Sequence, residues 1–354
     1  MSSLDSLTTL AWGGKIPITF ILAPGDVAQL HPPAPRYIMA SRMSYLGVVA
    51  EKAIAHFRLA VAPTGGGSEN IWFEAAGIPL KWQLPIGVLI DAVRSSTAAT
   101  LLLPLPFQIV IHFHDFPNDK ILACSGTKAA RWSYINTLKQ SACLRFGSAK
   151  KVLTGLSATQ QQQMWDAINN GNYTNFSTCN IELHGQHCNS KEPVQRRSIR
   201  LIAIAAGNGT EEKNETEGNL RIRNVLYPYD ETNIDVIKGS DVNVNVDVNV
   251  DGNEDGNEDG NEDGNEDGNK EEAEGEIEGV QGETKQDDGT NHIEQYVSIG
   301  TFLGIKNQDE QDGKIMIHGV EIPLDSNIVE LHESMASADN CLYIVLSGTF
   351  VKLL

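Results

Sequence analysis

Fifty consecutive residues in the C-terminal half carry almost all of the chain's net charge. Between Asp241 and Thr290 there are 19 acidic residues and two lysines, a net charge of −17 out of −19 for all 354 residues. The segment contains an alternating Asp/Asn-Val run at 241–250 and four Gly-Asn-Glu-Asp units at 252–267. So many like charges with so little apolar surface cannot offset the entropy lost on ordering. We therefore predict a disordered acidic insert at about 230–292, which any fold of this chain must accommodate.

The first 120 residues have the pattern of one small α+β domain. Apolar and β-branched runs predict strands, and apolar residues at helical spacing predict helices. The predicted strands are Ile16–Leu22, Arg36–Ala40, Ile71–Glu74, Ile78–Trp82 and Gln108–Phe113; the predicted helices are Leu46–Arg58, with Ser44 as N-cap, and Ile86–Val93 after Pro85. The order β-β-α-β-β-α-β is that of a β-grasp domain, the ubiquitin-like fold.

The remaining chain divides into a helical region and a second α+β region. Tyr134, Ile135, Leu138 and Ala142 form one apolar helical stripe, and a second amphipathic segment covers 160–169, so two or three helices are predicted between about 128 and 170. Strands are then predicted at Ile199–Ile204, Leu220–Leu226, Lys314–His318 and Cys341–Leu346. These predict a second β-grasp domain that the acidic insert interrupts.

Composition excludes several classes of protein. Outside the acidic segment the net charge is only −2, so neither a basic nucleic-acid footprint nor a basic membrane-binding stripe is expected. The apolar stretch 98–113 is broken by Pro104 and Pro106 and is too short for a transmembrane helix. The N-terminus has no secretory signal pattern, and five dispersed cysteines fit reduced thiols. We expect a cytoplasmic protein that binds no nucleic acid.

Three patterns could suggest a ligand site, and we interpret none of them as one. A literal calcium-loop match falls in the acidic repeat, where any period-four Asp/Asn/Glu/Gly sequence would produce it (Asp251, Asn253, Asp255, Gly256 and Glu262). A possible zinc tetrad lacks the usual paired arms (Cys179, His184, His187 and Cys188). The glycine run 65–67 lacks the Lys and Ser/Thr of a phosphate loop. We expect no metal, no cofactor and no catalytic residue.

Several segments resemble the autophagy protein 5 family, in order and at matching spacing. The longest is Ile71-Trp72-Phe73-Glu74, followed by Gly77-Ile78-Pro79-Leu80-Lys81-Trp82. Others are Trp12–Pro17, Ser44–Leu46, Pro85–Gly87, Val110–Phe113 with Phe116-Pro117, and Ile315–Leu324. The acidic insert is not part of the family pattern, and about 170–198 matches it weakly.

The resemblance implies a fold and a domain order. We expect two ubiquitin-like domains flanking a helix-rich domain: an N-terminal helix at 1–14, the first ubiquitin-like domain at 15–120, the helix-rich domain at 125–192 and the second ubiquitin-like domain at 196–354. A disordered loop as long as the insert costs only a few kcal/mol in closure entropy, so the second domain can tolerate it.

The resemblance also implies a function and one reactive residue. Family members are conjugated through a lysine to the ubiquitin-like modifier autophagy protein 12; the conjugate binds autophagy protein 16 and promotes lipidation of autophagy protein 8 at the preautophagosomal membrane, where it is peripheral. Cys124 and Leu138-Lys139-Gln140 reproduce the family's spacing, so Lys139 is the expected isopeptide acceptor. It would be a substrate of the conjugating enzymes. The alternative is an adaptor of the same pathway that binds its partners noncovalently.

Overall fold

The structure is a computed structural model, and it describes most of the chain outside the acidic segment. The described residues are 3–62, 70–96, 104–124, 126–146, 149, 153, 156–179, 196–206, 218–227, 297–305 and 312–354. The predicted acidic insert, the calcium-loop match, the glycine run 65–67 and three of the four possible zinc ligands (His184, His187 and Cys188) lie outside the described residues.

The first sheet forms from the alternating apolar runs near the N-terminus. Its strands are β1 (Lys15–Leu22), β2 (Arg36–Ser41), β3 (Trp72–Ala75), β4 (Ile78–Pro79) and β5 (Phe107–His112), in the spatial order β2-β1-β5-β3-β4. The central pair β1 and β5 is parallel, with Ile18 beside Phe107, and the other pairs are antiparallel. Ile18, Phe20, Ile109 and Ile111 point to one face and are buried in the core.

The described residues of this first domain form three α-helices: α2 (Leu46–Val49), α3 (Glu51–Phe57) and α4 (Ile86–Ser96). The prediction of one helix over Leu46–Arg58 with Ser44 as its N-cap is wrong in two respects. The helix is divided at Ala50, and its N-cap is Tyr45, which makes no side-chain cap bond. Ser44 is fully buried and donates its hydroxyl to Asn169 Oδ1 at 2.8 Å. The Ser44 hydroxyl therefore bonds to a residue that is distant in sequence instead of capping the helix.

The helix-rich region contains α5 (Thr127–Phe146), α6 (Ala158–Asn170) and α7 (Tyr173–Cys179). Ser157 and Gln160 form a capping box at the start of α6, and Gly171 ends it with a left-handed φ of 68°. The N-terminal helix α1 (Ser3–Gly13) packs here through Trp12, whose ring centroid lies 4.5 Å from that of Phe176.

The second sheet repeats the topology of the first. Its elements are β6 (Arg197–Ala206), β7 (Gly218–Tyr227), α8 (Ile299–Phe302), β8 (Lys314–Ile317), β9 (Val320–Glu321), α9 (Ile328–Met335) and β10 (Cys341–Ser347), with strand order β7-β6-β10-β8-β9. Here β6 and β10 form the central parallel pair. Two sheets with one strand order, separated by helices, confirm the predicted α+β fold of two ubiquitin-like domains around a helix-rich region.

The same type of turn occurs once in each sheet. In the first, Ala76 and Gly77 connect β3 to β4 with φ of 50° and 79°; in the second, His318 and Gly319 connect β8 to β9 with φ of 51° and 79°. Two successive left-handed residues are the type I′ turn that matches the twist of a tight hairpin. The predicted return strand Ile78–Trp82 is therefore present but shorter, since the observed strand covers Ile78–Pro79.

Among the described residues, no helix is long and apolar enough to cross a membrane.

Candidate functional site

Lys139, the acceptor that the resemblance implies, lies on α5. The helix contains 20 residues, and its buried positions recur every three or four residues along one face: Ala130, Tyr134, Leu138, Ser141, Ala142 and Arg145. Leu138 is fully buried, whereas Lys139 and Gln140 are exposed. No described residue forms a hydrogen bond or an ion pair with the Lys139 ammonium.

The beginning of α5 is held against the first ubiquitin-like domain. The Thr127 hydroxyl donates to Gly47 O at 3.2 Å, and a Cβ added at Gly47 would lie 3.0 Å from Gly126 O. Just before the helix, Trp82 Nε1 donates to Leu122 O at 2.8 Å. Leu122 and the first residue of α5 are therefore both bonded to the first domain.

The middle of α5 is held by three aromatic side chains from different parts of the chain. The Tyr134 ring lies 5.7 Å from that of Trp165 on α6 and 6.3 Å from that of Tyr45 in the first domain. Tyr45 and Trp165 stack on each other at 5.8 Å. Since such pairs bury large apolar areas, they fix the rotation of α5 about its axis and so the direction in which Lys139 points.

The second ubiquitin-like domain contacts the same helix through polar groups. The Ser141 hydroxyl donates to Asp339 O at 2.5 Å, and the Arg145 guanidinium donates to Asn340 Oδ1 at 2.8 Å. Arg145 also donates to both carboxylate oxygens of Glu333 at 3.1 Å, and Arg197 donates to one of them at 3.3 Å. Burial by itself would raise the pKa of Glu333, but the two guanidinium groups outweigh it and hold that pKa below its ordinary value.

A second buried polar group supports the loop that contacts α5. Tyr343 donates its hydroxyl to Asp339 Oδ2 at 2.5 Å and accepts from Arg200 at 3.2 Å. Burial raises the pKa of Asp339 despite the nearby arginine, and it raises the pKa of the neighbouring Cys341 thiol to about 12. These groups fix the loop 336–340 and leave no accessible nucleophile there. Sequence patterns missed them because they give no local signal.

Two histidines at the end of β5 have structural partners. His112 and His114 are half-buried: His112 stacks on Trp72 with ring centroids 3.7 Å apart and lies 3.2 Å from Glu74 Oε2, and His114 lies 2.8 Å from Asp26 Oδ1. The adjacent His112 imidazole lowers the pKa of the Glu74 carboxyl.

Within the described part of the chain, no three His, Cys, Asp or Glu side chains lie close enough together to hold a metal ion. The zinc alternative involves positions outside the described residues and stays untested.

Three family models match the chain in the order of its domains. Autophagy protein ATG5, UblA domain, matches residues 11–113; Autophagy protein ATG5, alpha-helical bundle region, matches 127–185; and Autophagy protein ATG5, UblB domain, matches 281–346. The helical-bundle match includes all of α5.

Curated relatives and a solved structure agree with these matches. Autophagy protein 5 of rice (Oryza sativa subsp. indica) is 34% identical over 170 residues, 47% of this chain and 42% of the relative; that of Arabidopsis thaliana is 31% identical over 169 residues, 47% of each. The match thus spans less than half the length of these plant relatives. Atg5 of Kluyveromyces marxianus is 16% identical, with a TM-score of 0.60 over 96% of this chain and 99% of the other, which shows a common fold.

Proposed function

The chain belongs to the autophagy protein 5 family, and from that membership we propose that it acts in autophagy as a conjugation scaffold whose acceptor is Lys139. The modifier is autophagy protein 12, joined through its C-terminal glycine. The observation that carries the proposal is the position of Lys139: it is exposed on a helix whose opposite face is fixed to both ubiquitin-like domains. A reactive lysine on such a support meets a large partner without rearrangement of the fold.

The reaction is aminolysis of a thioester carried by a separate conjugating enzyme. The lysine nitrogen attacks the glycyl thioester carbonyl; the C–N bond forms, the C–S bond breaks, the thiolate leaves on the enzyme, and the amine loses a proton. A lysine attacks only as the neutral amine, although its ordinary pKa of about 10.4 keeps it charged in water. Because no described residue is bonded to the Lys139 ammonium, we expect the group that takes the proton to come from the enzyme.

The chain's own part in later steps is binding. We propose that the conjugate binds autophagy protein 16 and the conjugating enzyme of the autophagy protein 8 system, and promotes transfer of autophagy protein 8 to phosphatidylethanolamine. The influence on that transfer then belongs to the conjugate and not to an active site in this chain. Association with the preautophagosomal membrane would be peripheral and would depend on the complex.

Replacing single lysines on α5 tests the acceptor. Lys139→Arg keeps the charge but cannot form the isopeptide, so the higher-mass adduct should disappear from a denaturing gel of the protein in its own cells. Lys128→Arg is the matched control, because Lys128 is also exposed on α5 and should leave the adduct intact. An adduct that persists in Lys139→Arg contradicts the assignment. Partner binding with no adduct in the unmodified chain would support the noncovalent adaptor.

A further inference from the structure

Helix α5 carries the one exposed tryptophan of this chain. Trp132 is 62% exposed, whereas Trp12, Trp72, Trp82 and Trp165 are between 0% and 8% exposed. The buried indoles of Trp72 and Trp82 donate hydrogen bonds to backbone carbonyls, while no described residue accepts from the indole of Trp132. Trp132 therefore takes no part in the core that holds the helix.

Trp132 and Lys139 lie on the same side of α5. Residues seven positions apart in a helix are about 10 Å apart along the axis and differ by about 20° around it. The exposed residues Lys128 and Cys143 continue the same line in the two directions. This line faces away from Tyr134, Leu138 and the other buried positions that fix the helix to both sheets, and we call it the acceptor face: Lys128, Trp132, Lys139 and Cys143.

The charge of α5 is opposite to that of the whole chain. The helix contains Lys128, Arg131, Lys139 and Arg145 and no aspartate or glutamate, in a chain with a net charge of −19. Arg145 is buried against the second domain, and Arg131 is bonded to Gln162 at 2.8 Å. The acceptor face thus presents two lysines around a single large apolar side chain.

We propose that Trp132 is a docking residue for the conjugating enzyme that delivers the modifier to Lys139. The partner surface would be an apolar pocket for the indole, bordered by carboxylates that meet Lys128 and Lys139, within about 10 Å of the thioester cysteine. Tryptophan is strongly enriched among residues that dominate binding at protein interfaces, because it buries a large rigid surface. This inference rests on the proposed function, since it names the partner of the same site.

A protein pocket fits the acceptor face better than a membrane does. Helices that lie on membranes insert a row of large apolar side chains along one face. On α5, Trp132 is the one large hydrophobic side chain that is clearly exposed, and the residues along its line are polar or small. One anchor surrounded by polar positions is the arrangement of an interface centre with a polar rim.

The kinetics of conjugation test the role of Trp132. With the full chain, the activated modifier and the thioester-charged conjugating enzyme, we expect Trp132→Ala to raise KM for this chain about 10- to 100-fold with kcat little changed, and Trp132→Phe to recover part of the loss. Tyr37→Ala, which removes an aromatic side chain that is 71% exposed on β2 and outside α5, is the control and should match the unmodified chain. Trp132 is not part of the core, so its variants should fold; unchanged thermal unfolding verifies this.

The outcomes separate this inference from the proposed function. An adduct formed by Lys139→Arg would overturn the acceptor and the inference with it. If Lys139→Arg forms no adduct but Trp132→Ala reacts with an unchanged KM, only the docking role is overturned. The docking role is also overturned if the spectroscopic signal of Trp132 changes on adding anionic phosphatidylserine vesicles but not on adding the conjugating enzyme.

Fluorine spectroscopy gives an independent readout. With 5-fluorotryptophan incorporated in this chain only, the resonance absent from Trp132→Phe is that of Trp132, and it should shift when the unlabelled conjugating enzyme is added. A resonance that stays unchanged at saturating enzyme contradicts docking at this side chain.

Discussion

Leu138 and Lys139 are neighbours in sequence and have opposite environments. Leu138 is fully buried and Lys139 is exposed, because successive residues of a helix point about 100° apart. The predicted apolar stripe, which contains Tyr134, Leu138 and Ala142, identifies the buried face of α5, and Lys139 lies outside that stripe. The nearby serine and arginine show the limit of that reasoning, since Ser141 and Arg145 lie on the buried face and are polar. Their partners come from another domain and leave no local pattern.

Arg145 should contribute more to stability than an exposed cation. Arg145→Met keeps much of the side-chain volume but leaves Glu333 with one guanidinium instead of two and removes a donor from Asn340. Removing one member of a buried ion pair leaves an undercompensated charge, so we expect a loss of about 3 kcal/mol in urea unfolding. Lys314→Met is the control: its pair with Glu321 is more than half exposed on both sides, and should cost less than about 1 kcal/mol. Equal losses of stability in the Arg145 and Lys314 variants would contradict a larger contribution from the buried pair of Arg145 and Glu333.

A buried histidine, His332, and a partly buried one, His318, should make stability fall in mild acid. Burial lowers the pKa of His332 to about 3 and that of His318 to about 4. The folded state therefore favours neutral imidazoles. Their contribution to the free energy of unfolding is complete above a pH of about 6.5 and is lost as the pH falls below that value. Linkage gives a loss of about 2 kcal/mol per histidine between about pH 7.5 and about pH 5.

Variants of the two histidines test this pH dependence. We expect His332→Gln and His318→Asn each to remove roughly half of the loss in unfolding free energy between the two pH values, measured by urea unfolding. Asparagine suits the positive φ at position 318. His31→Gln changes an exposed histidine and should leave the dependence as it is. If the variant with both substitutions loses as much stability in acid as the unmodified chain, these two histidines are not the cause.

At the scale of elements, periodicity predicted strands better than helix ends. The predicted strand Arg36–Ala40 is observed as Arg36–Ser41, and Cys341–Leu346 as Cys341–Ser347, because alternation defines a strand along its whole length. Helix ends depend on single side chains that have other possible partners. Ser44 bonds Asn169 instead of capping α2, and α9 was not predicted, although Asn327 at its start accepts from Val329 N at 2.8 Å.

The junction between α6 and α7 should tolerate no side chain. Gly171 has a φ of 68°, and an added Cβ would lie 2.7 Å from Trp12 O and 2.9 Å from Ser41 Oγ. Left-handed strain and the clash with α1 together should make Gly171→Ala destabilising by about 2 kcal/mol or more, measured by urea unfolding. Gly13→Ala is the control, because its added methyl meets nothing within 4 Å. A neutral Gly171→Ala would mean that α1 is not held at this position.

At the scale of the whole molecule, α5 connects two domains that are far apart in sequence. The hydrogen bond between Ser141 and Asp339 joins residues 198 positions apart, and the contact of Tyr134 with Tyr45 reaches the first domain. The domain order could be expected from the repeated strand pattern and from the resemblance. The contacts that fix the helix could not, because single polar residues at long separation carry no periodicity. The predicted domain boundaries and the nature of the acidic insert stay predictions.

The most direct test of the account is the mass of the protein isolated from its own cells, followed by mapping of any branched peptide. We expect part of the population to carry one added ubiquitin-like modifier, and its C-terminal glycine to be joined to the side chain of Lys139. A branch on a different lysine, or an intact mass equal to that of the unmodified chain under conditions that induce autophagy, would contradict the account.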